Sequence, residues 1–247
     1  MVARSELEPY RLATSDLSRL VRAALEDFFL SLDLSKPEAS RDALLEFVPL
    51  LTEQYGAVAA VLAAEWYEQI RGDSGAVGTF AAVTAASVAA GAVEAKVRFL
   101  AGHLWTPEPA NMLGGLLTAT ERYVKQPGRD TMAFNAKREG VRFARVPTGA
   151  KTCAWCLMLA SRDAVYASRE SAGDIGHGTG DGFHGDCDCA VVPIRRKSDY
   201  PKDYLPDNYL SMYEDARKAA GSGDPKDISA AFRRLHPDAV NDGVHTH

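Results

Sequence analysis

Val141-Arg142-Phe143-Ala144-Arg145-Val146-Pro147 is the stretch at which the chain changes period. Up to residue 140, apolar side chains recur three and four positions apart, the spacing of one helix face. From Val141 they alternate with polar ones, as on a half-buried strand. Downstream, Thr148-Gly149-Ala150 reads as a turn, residues 157–162 as a short helix, and Cys189-Ala-Val-Val-Pro-Ile194 as a second strand. Residues 171–186 hold six glycines and few apolar side chains, which predicts a loop. The expected fold is mostly α with a small α+β module. Residues 1–140 form a helical assembly region, residues 141–195 the module, and residues 196–247 a polar tail with short helices at 209–213 and 228–235.

Five helices are expected in the first region. Ser15-Asp16 can cap a first helix bearing Leu17, Leu20, Val21, Leu25 and Phe28 on one face. Pro37 suits the first turn of a second helix, which runs to about Arg71 with Leu44, Leu45, Val48, Leu51, Tyr55, Val58, Leu62, Trp66 and Ile70 along its stripe. A third is expected over about 76–103. A fourth opens at Pro107 and Pro109 and ends near Gln126-Pro127-Gly128. A fifth spans about 129–139 and stops at Gly140. Residues 74–93 carry no charge over 20 positions, the length of a membrane span. Their alanine-rich content favours a tightly packed buried helix instead, and no stable membrane association is expected.

With 247 residues, the chain can bury a sizeable core. A net charge of −5 argues against a protein that coats nucleic acid non-specifically. The first ten residues lack the apolar stretch of a signal peptide, so folding in a reducing cytosol is expected, where clustered cysteines serve metals or redox chemistry more often than disulfides.

All four cysteines lie between residues 153 and 189, as Cys153-Ala-Trp-Cys156 and His184-Gly-Asp-Cys187-Asp-Cys189. Two paired thiols near a histidine suit a tetrahedral site for a borderline cation, with zinc the default. A single structural zinc would use four of Cys153, Cys156, His184, Cys187 and Cys189. Consecutive strand residues of the Cys-x-Cys kind point to opposite faces unless the backbone turns, so the composition of the set stays open. The module's own core looks thin, and a metal would repair that. The bland alternative is a set of reduced buried thiols or an incidental disulfide.

Catalytic patterns fit poorly. A zinc deaminase needs His-x-Glu before Pro-Cys-x-x-Cys; here the Cys pair comes first and no Glu lies two residues after His184. His-Glu-x-x-His is absent. A cysteine protease would pair Cys153 or Cys156 with His184, without local support. His177 reads as a loop histidine, and Trp155 and Phe183 as a cap over the metal. Arg195-Arg196-Lys197 reads as a solvated strand end, with contact to nucleic acid or an acidic partner as the alternative.

One ordered series of residues runs through the module: Arg145-Val-Pro147, Cys153-x-x-Cys156, Ser161-Arg162, Tyr166 and His184-x-x-Cys187-x-Cys189. It resembles the Mu F-like phage head morphogenesis proteins, or minor capsid proteins, in the form found in phages of actinobacteria and sometimes labelled capsid maturation protease. The family's His-Pro-Asn-Cys-Arg-Cys-like segment is His184-Gly-Asp-Cys187-Asp-Cys189 here. The resemblance implies a structural, non-enzymatic minor capsid protein of a tailed bacteriophage, acting in head assembly or DNA packaging and ejection. Implied partners are the portal protein, the major capsid protein and packaged DNA. The implied place is the head interior or portal vertex of the virion, after assembly in the host cytoplasm. A capsid maturation protease is the alternative, and a DNA-contacting ejection protein using the 74–93 stretch a further one.

Overall fold

The computed structural model describes residues 4–148, 151–164, 189–196, 199–201, 204 and 206–240. Among them are seven α-helices and one two-stranded sheet: α1 (Arg4–Leu30), α2 (Pro37–Asp73), α3 (Ala90–Leu100), α4 (Met112–Arg138), β1 (Arg142–Val146), α5 (Ala154–Ala160), β2 (Ala190–Ile194), α6 (Pro206–Ala220) and α7 (Pro225–Leu235). The chain is thus mostly helical, as its periodicity predicts. It divides into two compact units that do not break at residues 140 and 195. One comprises residues 12–68 and 80–131, the other residues 1–11, 69–79 and 132–247.

The first unit is built on apolar stripes. Leu17, Val21, Leu25 and Phe29 of α1 bury at four-residue spacing, with Leu44, Val48 and Leu51 of α2, Val93 and Val97 of α3, and Met112, Leu116 and Val124 of α4 in the same core. Two members of the expected α1 stripe differ. Leu20 faces solvent, and Phe28 lies at the edge of the core, stacked on Phe47 at 3.8 Å. Along α2 the buried face passes to Ala59, Ala60 and Ala63, while Val58 is exposed. Gly56 explains the close approach there: a Cβ on it would stand 3.1 Å from Ser87 Oγ and 3.2 Å from the Pro127 ring.

Three helix expectations need correction. Ser15 and Asp16 lie inside α1, which begins at Arg4. The helix expected over 76–103 exists only as α3, followed by a 3₁₀ turn at Ala101–Trp105; residues 77–89 are not helical. Gly75 and Gly78 take positive φ there. Beyond them the segment finds its partners on α2 and α4. The Ala82 amide donates to the Glu68 carboxylate at 2.8 Å, the Ala85 amide to the Thr131 hydroxyl at 2.9 Å, and the Ser87 hydroxyl to the Glu53 carbonyl at 3.0 Å. These bonds outweigh the helix propensity of the alanines, which β-branched Val77, Thr79, Val83 and Thr84 already dilute. The uncharged stretch is therefore no buried helix. The third correction concerns α4, which runs unbroken through Gln126-Pro127-Gly128. Proline removes one helical donor, and the Thr131 hydroxyl bonds back to the Pro127 carbonyl at 2.8 Å.

α4 ends where the sequence predicts. Gly140 sits at φ +67°, its amide reaches the Lys137 carbonyl at 3.0 Å and the Val141 amide the Ala136 carbonyl at 2.9 Å. This pair of bonds is a Schellman closure, which releases the chain into β1. β1 pairs antiparallel with β2, Phe143 facing Pro193 and Arg145 facing Val191. The alternation of β1 misleads in one respect. Residues 143–146 are all buried, the polar Arg145 included.

The stretch 206–235, expected to be polar with two short helices, holds the longer α6 and α7, and both pack on α5. Ala154, Leu157 and Met158 share a core with Ala216, Ile228, Ala231, Phe232 and Val240. Asp224 caps α7 by accepting the Lys226 amide at 2.8 Å. The chain then returns to Thr152, whose amide donates to the Ala239 carbonyl at 3.0 Å, in a parallel bridge to Val240.

Candidate cysteine–arginine site

Cys153 and Cys156 stand at the start of α5, and Cys189 stands one residue before β2. The Cys153 thiol caps α5 by accepting the Cys156 amide at 3.3 Å. Cys156 points from the first turn of α5 towards Cys189, and the two sulfurs are 3.2 Å apart. All three cysteines are buried and unbridged. Sequence reasoning had brought these residues together, and the fold brings two of their sulfurs into contact.

The arginine between them is the residue that sequence reasoning missed. Arg145 is 0% exposed, the largest fully buried side chain among the described residues. Its Nε donates to Cys189 Sγ at 3.3 Å, and its Nη2 to Cys189 Sγ at 2.9 Å and to Cys156 Sγ at 3.7 Å. A guanidinium stays charged at any relevant pH and stabilises negative charge on whatever it donates to. The available signal was weak. Arg145 opens the Arg-Val-Pro part of the residue series and shares strand parity with Val141 and Phe143, but an arginine in a short strand is read first as solvated.

Around this centre the second unit is held by charge. The Glu139 carboxylate accepts from Arg71 Nε at 2.6 Å and from Arg195. Asp199 accepts the Arg195 and Arg196 amides at 3.0 and 3.2 Å, and Arg196 also reaches the Ser74 carbonyl. Arg195 is thus largely enclosed by its pair with Glu139, whereas the Arg196 side chain is 62% exposed, as a solvated strand end would have it; Lys197 lies outside the described residues. At the far end of α5, Asp163 adopts a positive φ of 62° and accepts the Tyr200 hydroxyl, while the Tyr204 hydroxyl donates to the Ala160 carbonyl at 2.6 Å. Burial, then the bond to Asp163, pushes the Tyr200 phenol up to about 12.

His184 and Cys187 lie outside the described residues, as do Tyr166, His177 and Phe183. Trp155 packs against the α5–α7 core. Among the described residues no three His, Cys, Asp or Glu side chains form a metal-holding group. Cys156 and Cys189 bring two buried sulfurs together, two of the four ligands that the expected zinc would need.

Fold and site together define a mostly helical protein whose second unit encloses a buried sulfur–guanidinium centre. The chain belongs to the VG15 protein family, whose family model matches residues 1–216. It is 32% identical over 133 residues to the Gene 15 protein of Mycobacterium phage D29, covering 42% of this chain and 48% of that protein. It is 34% identical over 90 residues to the Gene 15 protein of Mycobacterium phage L5, covering 24% of this chain and 31% of that one. The chain spans under half the length of these curated relatives. No solved structure matches it. The relatives establish a bacteriophage protein family; they do not reach the Mu F-like assignment.

Proposed function

We propose that this chain is a structural minor capsid protein of a tailed bacteriophage, of the Mu F-like head morphogenesis type. In this reading it binds the portal protein and the major capsid protein, acts in head assembly or DNA packaging and ejection, and resides in the head interior or at the portal vertex after assembly in the host cytoplasm. The observation that carries it is the conjunction of the Arg145-to-Cys189 residue series with a fold that buries Arg145, Cys156 and Cys189 as one centre. A buried centre suits a staple better than a reaction site. Membership of a family with mycobacteriophage gene 15 relatives supports the phage setting.

The staple is read as zinc, held by Cys156 and Cys189 with two more ligands from Cys153, His184 and Cys187. Zinc would supply a redox-inert cross-link between α5 and the start of β2. Co-expression with a portal protein and a major capsid protein, followed by gradient sedimentation and intact mass, tests the assignment. The expected result is co-sedimentation with portal rings and unchanged masses of both partners. Cleavage of the capsid protein that disappears on His184→Ala would replace this reading with the maturation protease.

A further inference from the structure

We infer that copies of this chain join head to tail through the first unit: the exposed Phe99 of α3, with its flanking cations, docks on an acid-edged apolar stripe along α2 of the next copy. The inference stands apart from the metal and head-assembly readings above.

α2 has two apolar faces. One is the core face of Leu44, Val48 and Leu51. The other looks outward: Leu50, Val58 and Val61 are 61%, 44% and 48% exposed, and Ala57 is exposed among them. Positions 50, 54, 57, 58 and 61 succeed one another at helical spacing, so Leu50, Gln54, Ala57, Val58 and Val61 form one stripe. Glu46, Glu53 and Glu65 are exposed along α2 as well, and the helix carries no lysine or arginine between Arg41 and Arg71. Contiguous exposed apolar side chains with a polar rim mark an interaction surface.

The counterpart lies in the same unit. α3 buries Val93, Val97 and Leu100 and turns Phe99 outward, 75% exposed. The Lys96 ammonium stands 4.9 Å from the centre of the Phe99 ring. Arg98 is exposed too, but it pairs with Glu94 at 3.0 Å, so Lys96 supplies the surplus positive charge. Aromatic rings are enriched at interfaces, where they serve as anchors.

Charge decides how these faces pair. Stripe against stripe would bring Glu46, Glu53 and Glu65 of one copy towards the same carboxylates of another, and Phe99 against Phe99 would bring Lys96 towards Lys96. Phe99 on the stripe joins opposite charges and covers apolar surface on both copies. The two faces sit on different helices of one core, so the contact is heterologous. It leaves a free Phe99 at one end and a free stripe at the other, and such contacts extend into rings or filaments.

The experiment is sedimentation velocity of the full chain in reducing buffer over a series of concentrations. Wild type should pass from monomer to species larger than a dimer. Phe99→Asp, and on the stripe Val61→Lys or Leu50→Lys, should stay monomeric where wild type is mostly assembled. Their melting temperatures should match wild type, because the substituted residues are exposed. An equimolar mixture of Phe99→Asp and Val61→Lys restores one contact, since the first keeps its stripe and the second its Phe99. That mixture should form a one-to-one dimer and nothing larger. Leu210→Asp removes a 42% exposed apolar side chain of the second unit and should assemble as wild type does. A wild type that stays monomeric throughout would overturn the inference and leave the stripe to a basic segment of a different protein. So would a mixture that stays monomeric, an assembly that survives Phe99→Asp, or one that Leu210→Asp disperses equally.

Discussion

The two units solve the same problem with different materials. In the first, stability comes from apolar side chains repeated at helical spacing, and each of α1 to α4 contributes a stripe. In the second, apolar residues of β1, β2, α5 and α7 are buried too, and polar contacts lie among them: Arg145 on sulfur, Glu139 between two arginines, and Asp199 on two backbone amides. Stripes are local in sequence and tolerate local change. A polar centre is assembled from distant residues, each of which leaves a costly orphan when a partner is lost.

The largest expected effect strikes the second unit's apolar core. Phe232→Ala removes a fully buried ring and should cost about 3–5 kcal/mol in urea unfolding. It should also speed alkylation of the buried thiols, since α7 packs on the helix that carries Cys156. A matching loss of stability with thiols still protected would mean that the sulfur centre does not depend on that core. The next effect tests the charged scaffold. Glu139→Gln keeps the shape but leaves Arg71 and Arg195 facing a neutral group. These side chains are 11–16% exposed, which lowers the expected cost to about 2 kcal/mol, below the range for fully buried pairs. Insensitivity to this change would show that the second unit stands on its apolar contacts, as the first does.

The smallest effect is a pH dependence at the end of α5. Tyr200 titrates at about 12 in the folded chain against an ordinary value near 10, so the folded state prefers the protonated phenol. Its contribution is complete below pH 10 and disappears as pH rises towards 12. Tyr200→Phe should therefore flatten the fall of melting temperature across that window. An unchanged alkaline profile would show that the bond to Asp163 carries no stability.

Legibility in the sequence followed the same division. Leu17, Val21, Leu25, Leu44 and Val48 announced α1 and α2 because a helix face is written in neighbouring residues. Gly140 announced the end of α4, and the two strands stood where the period changed. Residues 77–89 misled because their backbone partners, Glu68, Thr131 and Glu53, sit on other elements, where no local pattern records them. Pro127 misled for a related reason: a helix held by its surroundings survives one missing donor. At the site, cysteine spacing pointed to Cys156 and Cys189, whose sulfurs the fold brings to 3.2 Å. It was silent on Arg145 and Arg195, because the burial of a polar strand residue depends on what lies across the sheet.

The bridge from Thr152 to Val240 has a consequence in time. The residue just ahead of Cys153 and one face of the α5 core are completed only by chain made 88 residues later. At roughly 5–20 residues per second, that interval lasts about 4–18 s on the ribosome. For those seconds Cys153 and Cys156 have left the exit tunnel without α7 to cover them, and they meet the thiols, oxidants and metal carriers of the cell directly. The sulfur centre is therefore open to those reagents until the unit that encloses it has closed.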